Sequence, residues 1–326
     1  MSRIWKRALT RLDEQFALAH LAIASERPAL LIFMFHVLFE DEAAMSRQLV
    51  DPQQHITVQI FAEFIEHFQA HGYSFVTPAD VLAGLDPTGH YALITFDDGY
   101  YNNQLALPIL RQYGVPATFF ISTYHVQANR AFWWDVVYRE RQRQPLSPAD
   151  QQAEYVLLKG LQHEAVDEYL RTQFGAAALL PVSDLDRPFT PAELQAFARE
   201  PEVVLGNHTA HHAVLTNYEP AAAQQELAEC QQYLAQLTGS SPTTVAYPNG
   251  NCSPAVVAAA TRAGLQLGAT VQAGKNYLPF ARHNVDILQL KRLLLWGDQD
   301  VQQQCRLFRT DFHLKQLLRP ARLALG

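Results

Sequence analysis

Short, almost wholly apolar runs recur along the chain, and stretches of helical periodicity separate them. Residues 30–38, 92–96, 116–122, 203–207, 243–247, 265–271 and 293–296 are such runs, with a shorter one at 74–76. Strands apolar on both faces belong to a parallel sheet covered on both sides, because a sheet with one wet face alternates apolar and polar residues. The intervening segments carry helix punctuation. A helix over 60–69 stops at Gly72, and Thr77 and Pro78 open another as N-cap and first residue. Helices over 103–113, 220–237 and 254–263 end at Gly114, Gly239 and Gly264. Seven or eight strand–helix units predict a barrel, complete or distorted, rather than an open sheet. Residues 133–199 break the rhythm with polar, helical sequence and are expected to lie over the barrel mouth as an insertion. The expected organisation is an amphipathic helix at 1–28, the barrel at 29–300 with that insertion, and a basic helix at 301–326.

Composition narrows the class. Hydrophobic residues make up 48% and charged residues 17% of 326, which implies a sizeable core and excludes global disorder. The net charge of -7 argues against a nucleic-acid partner. Cys230, Cys252 and Cys305 are far apart and form no CxxC pair, so neither a zinc ribbon nor a disulfide framework is expected. The basic start, Met1 to Arg11, runs into Asp13 and Glu14 without an apolar stretch and cleavage site, so the expected location is cytoplasmic. Both terminal helices are amphipathic and basic. They are expected to cap the main domain, with contact to a membrane surface as the second reading.

The chemistry-bearing residues collect where strands end. His36, Asp97, Asp98, His208 and Tyr247 all sit at the carboxyl ends of apolar runs, the end of a β/α barrel that faces the reaction site. Asp97-Asp98-Gly99 could be an ordinary Asp-Gly turn, but a helix pattern follows it instead of a partner strand. Adjacent carboxylates repel, and a cation that binds one of them relieves the repulsion and leaves the other free to take a proton. His208 and His212 are four residues apart, a spacing that in a helix or turn puts both rings on one side; His211 between them points elsewhere. Two imidazoles and one carboxylate leave open positions on a metal, the pattern of a catalytic zinc site.

These motifs carry a resemblance. Thr95-Phe-Asp-Asp-Gly99, His208-Thr-Ala-His-His212 and Tyr247-Pro-Asn-Gly250 resemble the first three motifs of the polysaccharide deacetylases, the NodB-homology family or carbohydrate esterase family 4. The resemblance implies a distorted (β/α)7 barrel that removes acetyl groups from N-acetylated sugars on a bound metal. It implies that Asp98, His208 and His212 hold the metal, that Asp97 is the general base, and that the backbone N–H of Tyr247 stabilises the oxyanion. Zinc suits such ligands, and cobalt, nickel or manganese would fit similar ones. The family's late Leu-x-His motif is not clear here. Met34-Phe-His-Val37 instead resembles the start of a permuted subgroup in which the acid histidine comes from the first strand, which implies His36 as general acid. The arginine usual before the third motif is also missing. Arg292, in a segment similar to the subgroup's Pro-Arg-Ile, is the expected orienter of the base.

Trp133, Trp134 and either Tyr100 or Tyr101 are candidates for stacking on sugar faces, although packing is the commoner use of such residues. His125 is expected to be structural. The expected substrate is an N-acetylated sugar in a precursor of a surface polysaccharide. Two other readings are a hydrolase of a non-sugar amide or ureide on the same site, and a non-catalytic glycan-binding module.

Overall fold

A computed structural model describes the backbone of residues 3–312 and the side chains from Leu12 to Phe312. Among the described residues nine strands form one sheet: β1 (Ala29–Phe35), β2 (Ser74–Phe75), β3 (His90–Phe96), β4 (Ala117–Ile121), β5 (Val203–Asn207), β6 (Thr244–Ala246), β7 (Leu267–Ala273), β8 (Asn276–Tyr277) and β9 (Leu290–Leu294). Seven of them close on one another in the order β1-β3-β4-β5-β6-β7-β9-β1, all in parallel. The expected (β/α)7 barrel is thus the architecture found. Strand β2 adds in parallel to the start of β3, and β8 pairs antiparallel with the start of β1.

The pleat sorts each strand's residues to two sides. In β1, Leu31, Phe33 and Phe35 pack outward with Phe61, Phe64 and Phe68 of the helix Val58–Ala70. Leu30 and Ile32 join Leu93 of β3, Leu267 of β7 and Leu290 of β9 in a separate apolar cluster. Counting on by twos from those residues gives Met34 in β1 and His36 just past its end, Thr95 in β3 and Asp97 just past its end, and Arg292 in β9. The alternation therefore lifts His36, Asp97 and Arg292 toward the mouth of the barrel on the same parity as its apolar filling.

Boundaries shift where local chemistry intervenes. The helix expected over 103–113 is a tight turn, Tyr101–Ala106, followed by a helix over Leu107–Tyr113. Pro108 lacks an N–H and is accommodated only in a first helical turn. Thr77 opens the helix Pro78–Ala83 with a complete capping box to Asp80. The insertion supplies helices Trp133–Arg143, Pro148–Lys159, His163–Phe174 and Pro191–Phe197. The first three share a small core of their own that includes Val136, Leu158, Val166 and Leu170. Near the termini, helices span Arg3–Ile23 and Val301–Arg309. The latter stops where Thr310 turns extended, and the rest of the expected tail helix, with His313, lies outside the described residues.

Candidate active site

Two neighbours in a strand point to opposite faces, yet Asp97 and Asp98 both line the same cleft. The reason is the backbone of Asp98, which adopts a left-handed conformation (φ 76°) two residues past the end of β3 and turns its carboxylate back toward the mouth. Thr209 (φ 63°) and His212 (φ 54°) are left-handed as well. A non-glycine residue held there costs on the order of 1–3 kcal/mol, and such conformations collect at functional sites. The loop that carries the histidines is fixed in compensation. Asn207 accepts from the Thr209 N–H at 2.8 Å and donates to the Leu227 carbonyl, while the Thr209 hydroxyl accepts from the Ala213 N–H at 2.8 Å.

Asp98, His208 and His212 converge. Asp98 Oδ1 lies 3.4 Å from His208 Nε2 and 3.3 Å from His212 Nε2. Bonds of about 2.0–2.2 Å to one tetrahedral ion require its ligand atoms to be about 3.3–3.6 Å apart, so these spacings suit a shared cation. The Nδ1–H of His208 donates to the Ala246 carbonyl at 2.8 Å, which leaves Nε2 as the free lone pair. The other Asp98 oxygen, Oδ2, is buried with no hydrogen-bond partner. A buried, unpartnered carboxylate oxygen is costly and is relieved by a positive ion. Burial pushes the Asp98 carboxyl up, but its contacts with His208 and His212 outweigh that and hold it below the usual carboxylate range.

Asp97 has a different partner. Arg292, fully buried, grips it with two parallel hydrogen bonds of 2.7 and 2.8 Å and donates its Nε–H to the Thr270 carbonyl. Burial raises the Asp97 carboxyl, and Arg292 together with His208 and His36 more than offsets this and holds it below the usual carboxylate range. Each Asp97 oxygen retains a lone pair for a proton. His36 lines the same cleft of about 250 Å³ with Met34, Asn249, Trp133 and Trp134. Its backbone carbonyl accepts from Asn103 at 2.7 Å, and its Nδ1 lies 2.8 Å from Gln54 Oε1.

Tyr247 departs from expectation. Its backbone N–H donates to the Ala269 carbonyl at 3.1 Å, within the β6–β7 pairing, and is not free to meet an oxyanion. The two tyrosines are also committed elsewhere. Tyr100 is fully buried with its hydroxyl on Asp135, and Tyr101 lies under the Arg187 guanidinium at 3.3 Å. Of the aromatic candidates, only Trp133 and Trp134 reach the cleft, and Trp134 also meets the His212 ring edge-on at 4.6 Å. His125 is half-buried at its surface, stacked on Phe132 and held down to about 3 by the desolvation of its ring.

A second imidazole–carboxylate group lies beside the first. His211 turns away from Asp98 and lies 2.8 Å from Glu226, and its ring stacks on His163 of the insertion at 3.8 Å and 11°. Lone pairs of stacked rings run parallel and do not meet at one ion. The first triad is therefore the candidate metal centre.

The profile of the polysaccharide deacetylase family matches residues 85–268, more than half of the chain. The chain belongs to the polysaccharide deacetylase family. It is a carbohydrate deacetylase, a hydrolase. YxkH of Bacillus subtilis (strain 168), assigned by name to the polysaccharide deacetylases, is 23% identical over 260 residues, 77% of this chain and 68% of its own. The fold is shared with the Streptococcus pyogenes deacetylase PplD (TM-score 0.56, 17% identity, 86% of this chain and 99% of that one). It is shared equally with IcaB of Ammonifex degensii (TM-score 0.57, 18% identity, 87% and 99%). His36 and Arg292 lie outside the matched span, whereas Asp97, Asp98, His208, His212 and Tyr247 lie within it. No helix among the described residues is long and apolar enough to cross a membrane.

Proposed function

We propose that this deacetylase depends on a divalent cation and removes the acetyl group from an N-acetylated sugar in a surface-polysaccharide precursor. Asp98, His208 and His212 would hold the cation, zinc by preference for such a ligand set. When bound, it supplies Lewis-acid polarisation of the acetyl carbonyl and lowers the pKa of water to about 7 in favourable zinc sites. Asp97, ionised and aligned by Arg292, takes the proton from the water that attacks the acetyl carbon. The carbon–nitrogen bond then breaks with its electron pair on nitrogen, and His36 delivers a proton to that nitrogen. Proton transfers of this kind contribute about 10²- to 10⁴-fold each.

The single observation that carries this reading is the division of labour between adjacent carboxylates. One faces two imidazole nitrogens and retains an unpartnered oxygen; the other is paired with a buried arginine. The insertion, with Trp133 and Tyr155 walling the cleft, favours a compact substrate over a long polymer. Exposed Leu12, Phe16 and Ile23 on the helix Arg3–Ile23 support peripheral contact with a membrane that presents a lipid-linked substrate. Co-sedimentation with anionic vesicles, lost in L12Q/F16Q, tests that part.

Acetate release tests the rest when measured over nucleotide-linked and lipid-linked N-acetyl sugars, N-acetylated polymers, acetyl esters and cyclic ureides. Release from a linked N-acetyl sugar, abolished in D97N, is expected. Release from polymer alone would contradict the precursor assignment, and turnover of ureides alone would contradict the sugar.

A further inference from the structure

Gln54 lies in the loop ahead of the helix Val58–Ala70, far from every motif, yet it is only 3% exposed. All of its side-chain polar atoms are used. Nε2 donates to the carbonyls of Met34 (2.8 Å) and Leu295 (3.0 Å), and Oε1 lies 2.8 Å from His36 Nδ1. The amide has one possible orientation, because carbonyls only accept, and a flipped amide would set Oε1 against two of them. Oε1 in turn only accepts, so the His36 Nδ1 that faces it must carry a proton.

The loop is built to hold this amide. Gln53 (φ 47°) and His55 (φ 58°), on either side of Gln54, are both left-handed. The Gln54 carbonyl accepts from the Gly297 N–H at 2.7 Å, and a Cβ on Gly297 would come within 1.9 Å of the His55 carbonyl oxygen. Gly297 is thus the residue that lets the segment after β9 close on the loop. The two carbonyls that Nε2 bridges belong to β1 and to the residue just after β9, strands that pair directly through Phe33–Leu293 and Met34–Leu294.

We propose that Gln54 is a positioning residue for deacetylation: its fixed amide holds the His36 ring with Nδ1 protonated and Nε2 left for the leaving nitrogen. The inference rests on the reading of His36 as the general acid. In the step concerned, the His36 Nε2–H bond breaks and a new N–H bond forms on the amine as the carbon–nitrogen pair moves to nitrogen. The imidazolium becomes the neutral ring that still carries its proton on Nδ1, the tautomer that Gln54 accepts from. No ring flip or tautomer exchange is needed between turnovers, and a neutral amide fixes the tautomer without adding a negative charge to a cleft that already holds Asp97 and Asp98.

The test compares two leaving groups in the metal-loaded enzyme. An N-acetyl sugar expels a basic amine that needs a proton, and an aryl acetate expels a phenolate that does not. Gln54→Met keeps the bulk and removes the hydrogen bonds. It is expected to lower kcat on the N-acetyl sugar by roughly 10- to 100-fold, with KM little changed and aryl acetate turnover retained. H36A should show the same split, more deeply. Equal loss on both substrates in Q54M, or no loss on either, overturns the role of Gln54. If H36A shows no split, the acid assignment itself fails, which separates the two claims. Nitrogen-15 NMR of the unaltered enzyme gives a second check that does not depend on a variant folding. Neutral His36 should carry its proton on Nδ1, and a proton on Nε2 contradicts the proposal.

Discussion

His211 and His212 are neighbours in sequence and serve opposite purposes. His212 joins His208 and Asp98, where the two rings are nearly perpendicular (72°, centroids 4.8 Å apart) and both Nε2 atoms approach one carboxylate oxygen. His211 joins His163 and Glu226, where the rings are stacked flat and a carboxylate accepts from one of them. Both clusters combine two imidazoles with one carboxylate, and the first is the more deeply buried. The direction of the lone pairs separates a candidate metal centre from a clamp that ties the insertion to the histidine loop. The two consecutive side chains diverge at a left-handed residue, His212 (φ 54°).

Four substitutions would break or sharpen that contrast. The largest effect is expected from D98A, which removes the oxygen shared by both Nε2 atoms. Bound cation should be lost, as measured by elemental analysis, and activity should fall by at least about 10³-fold, the equivalent of several kcal/mol of lost charge stabilisation. Next is D97N, which should retain the cation in full and reduce kcat by about 10²- to 10⁴-fold. Retention of activity in D97N would remove Asp97 from the chemistry. R292M leaves the Asp97 carboxylate buried without its partner. It should lower unfolding free energy by about 3–5 kcal/mol in urea titrations, the usual result of breaking a buried pair from one side. The smallest effect is expected from H163A, which removes one face of the stack. Cation content should be unchanged and stability should fall by about 0.5–1.5 kcal/mol. Loss of the cation in H163A would show that the wrong cluster had been chosen.

Much of the fold was legible because β1, β3, β4 and β5 are apolar on both faces, and only a covered parallel sheet accepts such strands. The close spacing of Asp97 and Asp98, and of His208 and His212, made the candidate site legible too, since each pair is local in sequence. What escaped depends on partners distant in the chain. The Tyr247 N–H is consumed by a strand pairing to Ala269, which no local pattern reveals. Arg292 reads as a candidate in sequence, but its complete burial and two-pronged grip on Asp97 come from the pleat of β9 opposite β3. Gln54 carries no signal at all: it sits in a polar loop, and its partners are 18, 20 and 241 residues away. The tyrosines after Gly99 suggested sugar stacking, yet Asp135 and Arg187, both from beyond β4, claim them.

Anomalous scattering at the zinc edge, from crystals of the zinc-loaded protein, tests the central claim most directly. One strong peak per chain is expected, within bonding distance of Asp98, His208 Nε2 and His212 Nε2, with Asp97 still on Arg292. A peak between His163, His211 and Glu226 instead, or none at Asp98, would contradict it.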